Sequence, residues 1–449
     1  MVLSWSRRRV FRYARKGKDL PGGAANANDG ELDVADVVVP THFRCPITLD
    51  LMSDPVTLST GITYDRDSIE KWIESGNRTC PVTNQPLTTF DMIPNHAIRK
   101  MIQEWCVQHR SFGFERIPTP RIPVTQYEVS EICTKIISAT QRGDYNKCQQ
   151  LVGKIKIWGK ESERNKKCIA ENEDAATTLA NAFSSFSNAS IEKNLGLLEN
   201  ILGILTWIFP KVQQGYTQIQ TQSMLSSEAS LRCMVWFLNS KDLSSRQNAA
   251  LVLKQVPTEP LAKTEGVLEA LVKMIKEPVG PSATKASLKA IFQMVSSSNI
   301  EKEGIIKRCV ELGLVTSLLE ALVDGDRGIC EKALGVLDCL CDYNQGKEVA
   351  KANVLTLPLV VKKILRVSGL ASDFGVSILW KLCDKSDEDL VKEAVQVGAF
   401  QKVLVLLQVG CEEKTKGKAT DLLKLLNVYK NSVECVDSSL DLKYLKKSF

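Results

Sequence analysis

An apolar pattern recurs through the second half of the chain at intervals of 38 to 46 residues, and it constrains the fold more than any other feature. Apolar side chains stand three, four and seven residues after five starting positions, namely Ala249, Ser287, Ala333, Gly375 and Ala419. This spacing places them on one face of a helix. A second pattern keeps the same step, with an apolar run after a residue suited to a positive φ at a helix corner: Gly266, Gly313, Asn353 and Gly398.

A helical unit of about 40–47 residues cannot bury its apolar face alone, so such units stack into a solenoid with a long concave surface. The segment resembles armadillo repeats, and the resemblance predicts an all-α armadillo-type solenoid over residues 126–430. Earlier helices, including Ile191–Phe209, are expected to add one or two irregular units. An unrelated all-helical domain is the alternative. The chain lacks the Trp and Asn ladder of importin-type grooves, which argues against a generic receptor for basic peptides.

A compact segment with dense turn signals precedes the helical part. Its pattern predicts a hairpin of Val56–Ser59 and Ile62–Tyr64, followed by a helix that Asp65 caps and that ends near Gly76. A second helix is expected after Asn95, with its apolar residues on one stripe: Ile98, Met101, Ile102, Trp105 and Cys106. The segment is therefore predicted to be a small α+β domain.

Motifs in this segment are closely spaced. They read F-x-C-P-I from Phe43, D-P-V from Asp54, G-x-T-Y-D-R from Gly61, C-P-x-T from Cys80 and I-P-N from Ile93. Together they resemble the U-box, the zinc-free relative of the RING domain. Each of the two loops has a threonine where a RING has a second cysteine, so four zinc ligands per site cannot be assembled. We expect no metal and no other cofactor.

The U-box and armadillo segments together resemble plant U-box/armadillo ubiquitin ligases. The stretches SWSRRRVFR, STGITYDR and RIPTPRIP are most similar to the U-box domain-containing protein 20/21 group, which is elicitor-responsive. The resemblance implies a role in plant stress or defence signalling. It also implies that polar contacts hold the module, with six residues in structural roles: Cys45, Asp54, Tyr64, Asp65, Arg66 and Cys80. Thr63, Thr79 and Asn84 are further candidates for these contacts.

The resemblance also implies a docking patch for a ubiquitin-conjugating enzyme. Ile47 in the first loop, Trp72 on the central helix and Pro81 in the second loop are its predicted apolar members. Trp72 shares its helix face with other apolar residues, so a purely structural role is its alternative. Asn84 stands at the linchpin position, where many strong ligases have Arg or Lys, and it adds no charge there.

No catalytic residue is predicted, because a ligase of this kind acts by holding the ubiquitin thioester of the conjugating enzyme near a substrate lysine. The armadillo repeats are expected to bind that protein substrate. The alternative is a non-catalytic armadillo scaffold with a degenerate U-box. The sequence leaves open whether the chain forms a homodimer.

Charge is concentrated at the N-terminus. Residues 1–18 carry seven basic groups and no acidic one, and the rest of the chain has 51 basic and 52 acidic groups. A nucleic-acid surface on the folded body is therefore not expected. The first residues lack the apolar core of a secretory signal, and no stretch is long and apolar enough to span a membrane, so we expect reduced thiols in a cytoplasmic or nuclear protein.

The predicted organisation has five parts. They are a basic arm at 1–40, the U-box at 41–115, a Pro-rich linker at 116–125, the armadillo-type solenoid at 126–430 and a tail at 431–449.

Overall fold

A computed structural model describes residues 38–117, 123–211, 215–296, 302–383 and 387–429. The chain divides into two compact units between Ile122 and Pro123. Nearly all of the predicted basic arm, the middle of the predicted linker and the whole predicted tail lie outside the described residues.

The first unit has a small antiparallel sheet with strand order β2–β1–β3. Strand β1 (Pro55–Thr57) pairs on one side with β2 (Thr63–Asp65) and on the other with β3 (Ile93–Pro94). The predicted hairpin is confirmed with different bounds: β1 begins one residue and ends two residues earlier than predicted, and β2 begins and ends one residue later. Strand β3 is an addition that the sequence did not indicate, since two residues that end in proline give no strand pattern.

Two helices pack on this sheet: α1 (Arg66–Glu74) and α2 (His96–Gln108). They enclose a core with Tyr64, Ile69 and Ile102 among its fully buried side chains. The predicted stripe of α2 is wrong at Met101, which is 46% exposed, whereas Arg99 is only 8% exposed. Helix α2 therefore buries a charged residue on its inner face.

The second unit is all-helical in its described residues. Its helices are α3 (Gln126–Gln141), α4 (Tyr145–Glu161), α5 (Glu163–Ala170), α6 (Glu173–Ala189), α7 (Leu195–Ile208), α8 (Tyr216–Leu225), α9 (Glu228–Leu238), α10 (Leu243–Leu253), α11 (Thr258–Lys263), α12 (Val267–Lys276), α13 (Pro281–Ser296), α14 (Lys302–Glu311), α15 (Leu314–Asp324), α16 (Arg327–Leu340), α17 (Asn344–Ala352), α18 (Thr356–Lys363), α19 (Gly369–Leu382), α20 (Glu388–Gln396), α21 (Ala399–Val409) and α22 (Glu413–Tyr429).

From α5 onward these helices form groups of three. The third helix of each group packs against the third helices of the neighbouring groups, in the order α7, α10, α13, α16, α19 and α22. The five starting positions of the repeat lie in α10, α13, α16, α19 and α22, so the sequence period corresponds to the stacking period. The pair α3–α4 and the group α5–α7 are the additional units expected ahead of the five repeats; only α3–α4 departs from the three-helix pattern. The predicted helix Ile191–Phe209 is shorter at both ends, because a turn precedes Leu195 and a 3₁₀ turn follows Ile208.

Left-handed glycines begin the second helix of three groups. Gly266, Gly313 and Gly398 have φ values of 83°, 70° and 86°, as their positions predicted. The prediction is wrong for Asn353, whose φ is −94°. There the side-chain Oδ1 of Asn353 accepts a hydrogen bond from the amide of Leu355 at 3.0 Å, so the side chain closes the corner without a left-handed backbone.

Within the residues described, none of the helices has the length and apolar character needed to cross a bilayer.

Candidate partner-docking site of the first unit

The first loop is a tight turn closed by its own backbone. The amide of Cys45 donates to the carbonyl of Asp50, and the amide of Leu49 donates to the carbonyl of Cys45, each at 2.8 Å. Leu49 has a φ of 64°, and its side chain is 56% exposed. Ile47 is half-buried and packs against the core of the unit. The loop therefore presents apolar side chains on a backbone that is closed by hydrogen bonds.

The second loop repeats the same backbone design. The amide of Cys80 donates to the carbonyl of Gln85 at 2.9 Å, and that of Asn84 donates to Cys80 at 2.8 Å. Asn84 is exposed with a φ of 56°, which makes it the counterpart of Leu49 in the first loop. Pro81 is half-buried, and its neighbour Val82 is 52% exposed.

Trp72 connects the central helix to the second loop. Its indole N–H donates to the carbonyl of Thr79 at 2.9 Å, and its ring packs partly against the core. Its own carbonyl accepts a hydrogen bond from the side chain of Asn77 at 3.0 Å. Trp72 is thus half-exposed and structural at once, so the two interpretations of this residue are compatible.

Both predicted structural cysteines are buried within hydrogen-bond networks. The amide of Asp65 donates to the Sγ of Cys45 at 3.4 Å. The Sγ of Cys80 lies 3.0 Å from the hydroxyl of Tyr64 and 3.4 Å from that of Thr60. The thiols therefore tie each loop to strand β2 and to the turn before it.

These contacts change the acidity of both partners. Burial alone would raise the pKa of Cys80, but hydrogen bonds from Thr60, Thr83 and Tyr64 favour its thiolate and lower the pKa to about 6. Burial, and then the contact with Cys80, raises the pKa of Tyr64 above its ordinary value. The phenol is consequently a donor to the sulfur at neutral pH.

Ion pairs around Asp54 fasten the sheet to both helices. Its carboxylate accepts from the Nε of Arg66 at 2.7 Å and from the guanidinium of Arg99. The sequence pointed to Asp54 and Arg66 but not to Arg99, because a cation in a helix is normally read as solvent-exposed.

Asp65 stands at the N-cap position of α1, as predicted, but its side chain makes no cap hydrogen bond. Its Oδ1 instead accepts from the amides of Ser53 at 2.8 Å and Asp54 at 2.9 Å. The hydroxyl of Ser53 also donates to this Oδ1, at 3.1 Å, so the Asp65 carboxylate oxygen accepts from three donors. Asp65 therefore holds the segment that leads from the first loop into β1.

Hydroxyl and amide groups close the other side of the sheet. Thr57 and Thr63 are hydrogen-bonded at 2.9 Å, and the amide nitrogen of Asn95 donates to the hydroxyls of both. The Oδ1 of Asn95 accepts from the amide of Ile98 at 3.0 Å, so Asn95 is the predicted cap of α2. The I-P-N motif thus connects strand pairing to the start of α2.

Across the described part of the chain, no three His, Cys, Asp or Glu side chains come together in a group that could hold a metal ion. The fold and the loops define a RING-like unit, held by hydrogen bonds and ion pairs, ahead of a helical-repeat solenoid.

Comparison with known families agrees with this class. A U-box domain model matches residues 39–111, and a model of the plant U-box protein ARM repeat region matches residues 128–446. The chain belongs to the plant U-box proteins with armadillo repeats. The predicted fold class, a small α+β U-box followed by an all-α armadillo-type solenoid, is therefore confirmed.

Relatives in Arabidopsis thaliana match over nearly the whole chain. U-box domain-containing protein 21 is 49% identical, covering 92% of this chain and 94% of that protein. U-box domain-containing protein 20 is 43% identical, with 92% and 93% covered, so the resemblance to this group is confirmed. E3 ubiquitin-protein ligase PUB23 is 32% identical, with 91% and 98% covered. Among solved structures, the chain is similar to a designed armadillo repeat protein at a TM-score of 0.43 and 19% identity, covering 55% of this chain and 98% of that one.

Proposed function

We propose that the protein is an E3 ubiquitin-protein ligase whose U-box recruits a ubiquitin-charged conjugating enzyme. Membership of the U-box family, with relatives named as E3 ubiquitin-protein ligases, supports the proposal. One structural observation carries it. Two loops of matching backbone expose apolar side chains, and the half-exposed Trp72 is hydrogen-bonded to the second of them.

Apolar side chains held on rigid loops are typical of an interaction site. Ile47 and Pro81 are half-buried on the two loops, and Leu49 and Val82 add exposed apolar area that the sequence motifs did not single out. We infer that these residues and Trp72 receive the conjugating enzyme. The ordered backbone keeps the entropic cost of docking low.

The ligase itself contributes no nucleophile in this mechanism. The substrate lysine attacks the thioester carbonyl of the conjugating enzyme, the thiolate of that enzyme leaves, and an isopeptide bond forms. The chain accelerates transfer by holding the two reactants close and correctly oriented. Asn84 on the second loop would donate hydrogen bonds to the docked pair without adding a positive charge.

The helical repeats would bind the protein substrate, since stacked repeats provide an extended surface. We further propose, from the resemblance to the elicitor-responsive group, that the reaction serves plant stress or defence signalling in the cytoplasm or nucleus. The rival function is a scaffold with an inactive U-box. Discharge of the ubiquitin thioester separates the two, because a scaffold would not accelerate it.

The test is single-turnover discharge of a charged conjugating enzyme onto free lysine with the full-length chain. Ile47→Ala and Pro81→Ala should each slow discharge by about 10–100-fold, as expected for loss of one anchor in a small interface. Glu104→Ala, an exposed change on α2, is the control and should keep the wild-type rate. Absence of discharge by the wild-type chain across a panel of conjugating enzymes would favour the scaffold.

A further inference from the structure

The third helices from α13 to α22 meet in a matching register. We number the residues of each third helix from its starting position in the repeat, which is position 0. The residue at position +2 of one helix contacts the residue at position −1 of the next helix. The Nζ of Lys418 donates to the hydroxyl of Ser377 at 2.7 Å, and a side chain at Gly335 would come within 3.0 Å of the Phe374 ring. Position +5 likewise contacts position +2 of the next helix, where Phe292 lies against Gly335.

The same register brings three lysines together. Lys254 is at position +5, directly after the last residue of α10, Lys289 is at position +2 of α13 and Lys332 at position −1 of α16. Extended to α10, this register places each lysine next to the following one, in a row that runs from the end of α10 across α13 and α16. The charges of Lys289 and Lys332, after the larger effect of burial, lower the pKa of Lys254, which agrees with this placement.

The lysine row differs from a neighbouring lysine in its counter-charges. In the described residues, none of these three lysines forms an ion pair, whereas Lys381 on the same face is held by Asp338 at 2.6 Å and by Asp342 at 2.7 Å. Adjacent positive charges without counter-ions disfavour one another, and a bound anion relieves this repulsion. The row is therefore complementary to a negatively charged partner.

An aromatic pair lies one helical turn from the lysine row. Phe292 follows Lys289 by three residues and Gly335 follows Lys332 by three residues, so both stand on the same faces as the lysines. The rings of Phe292 and Phe374 meet edge to face over Gly335, with centroids 6.1 Å apart, and both are half-exposed. A partner on the row would therefore also contact an apolar surface.

We infer that this face, formed by Lys254, Lys289, Lys332, Phe292, Phe374 and Gly335, binds an acidic peptide segment of the substrate. Carboxylates of the segment would pair with the lysines, and a neighbouring apolar side chain would pack on the phenylalanines. The inference rests on the proposed function, because it names the class of substrate that the repeats select. Isolated lysines bind carboxylates as point charges, so spacing is selected less strictly than charge.

The test is fluorescence anisotropy with the full-length chain and a labelled peptide of about twelve residues, containing alternating Glu and Gly around one central Phe. The triple variant Lys254→Gln, Lys289→Gln, Lys332→Gln should bind about 10–100-fold more weakly, and binding should weaken as salt rises. The control triple Lys273→Gln, Lys307→Gln, Lys362→Gln makes the same charge change on α12, α14 and α18 and should bind within about twofold of wild type.

Several results would overturn the inference. One is an equal loss of peptide affinity in both triple variants. Another is tighter binding of single-stranded nucleic acid than of the peptide, and a third is peptide binding that does not weaken as salt rises. Tighter binding of a peptide of residues 28–40, an acidic stretch of this chain, would make that stretch the occupant instead of a substrate. Because this assay needs no conjugating enzyme, a failure here with normal discharge onto free lysine refutes the inference alone. Normal peptide binding with no discharge refutes the proposed ligase function alone.

Discussion

Replacing Arg99 with methionine should weaken the U-box more than any change at an exposed cation of the same helix. Arg99 is buried and shares Asp54 with Arg66, so its loss leaves a carboxylate with one partner. Breaking a buried ion pair costs about 3–5 kcal/mol. Arg66 remains, and the Asp54 side chain is 22% exposed, so the loss in this unit should be about 2–3 kcal/mol.

Hydrogen exchange measured by mass spectrometry on the full-length chain can resolve this loss by region. A loss of about 2–3 kcal/mol should speed exchange of the slowest amides of β1 and α2 by roughly 30–150-fold. Peptides from α10–α19 lie in the other unit and should exchange as in wild type. Lys100→Met is the matched control, because the Lys100 side chain is 79% exposed on the next residue of α2. Exchange in Arg99→Met within about threefold of that control would refute the argument.

Three further predictions concern the loops. Asn84→Arg should speed thioester discharge without tightening binding of the free conjugating enzyme. Because residue 84 has a left-handed φ of 56°, the same substitution should lower the free energy of unfolding by about 1 kcal/mol, measured by urea unfolding. Tyr64→Phe removes a hydrogen bond to Cys80, so the pKa of that thiol should rise from about 6 towards 9.0, measured by the carbon-13 shift of its Cβ. Because the pKa of Cys80 is lower in the folded unit than the ordinary 9.0, the wild-type unit should lose stability as pH falls from about 9 to about 6 and lose no more from this group below that, and Tyr64→Phe should lose less. A zinc chelator should leave near-ultraviolet circular dichroism and discharge unchanged, since each loop has one thiol; a loss of signal would contradict this.

The solenoid could be predicted from the sequence because the residues that it buries lie close together along the chain, within each helix. In each third helix, the residues three, four and seven places after the starting position face the neighbours, so a period of apolar residues is sufficient to locate it. The corners depend on the individual residue. Glycine at Gly266, Gly313 and Gly398 adopts a left-handed backbone at little cost, but Asn353 has a side chain that can close the turn by itself.

The U-box could be predicted only in part, because long-range polar contacts decide its details. Motifs located both loops, and Asn95 caps α2 as predicted. The local pattern at Asp65 is that of an ordinary helix cap, yet its carboxylate accepts from three donors of Ser53 and Asp54 and makes no cap hydrogen bond to the helix. Arg99 follows no apolar period, and nothing in the local pattern indicates its partner Asp54, 45 residues earlier.

The matching backbones of the two loops bear on how the proposed docking surface discriminates between partners. Because both turns are closed by the same pair of hydrogen bonds, they differ chiefly in their side chains. Position by position, Ile47 matches Val82, and Leu49 matches Asn84, with both residues of the latter pair in a left-handed conformation. A partner that contacts both loops would therefore meet apolar surface on the first and an amide at the equivalent place on the second. On the proposed surface both loops supply apolar contacts, and only the first loop adds one at Leu49 where the second has the amide of Asn84, so exchanging Leu49 and Asn84 should impair transfer while preserving both turns.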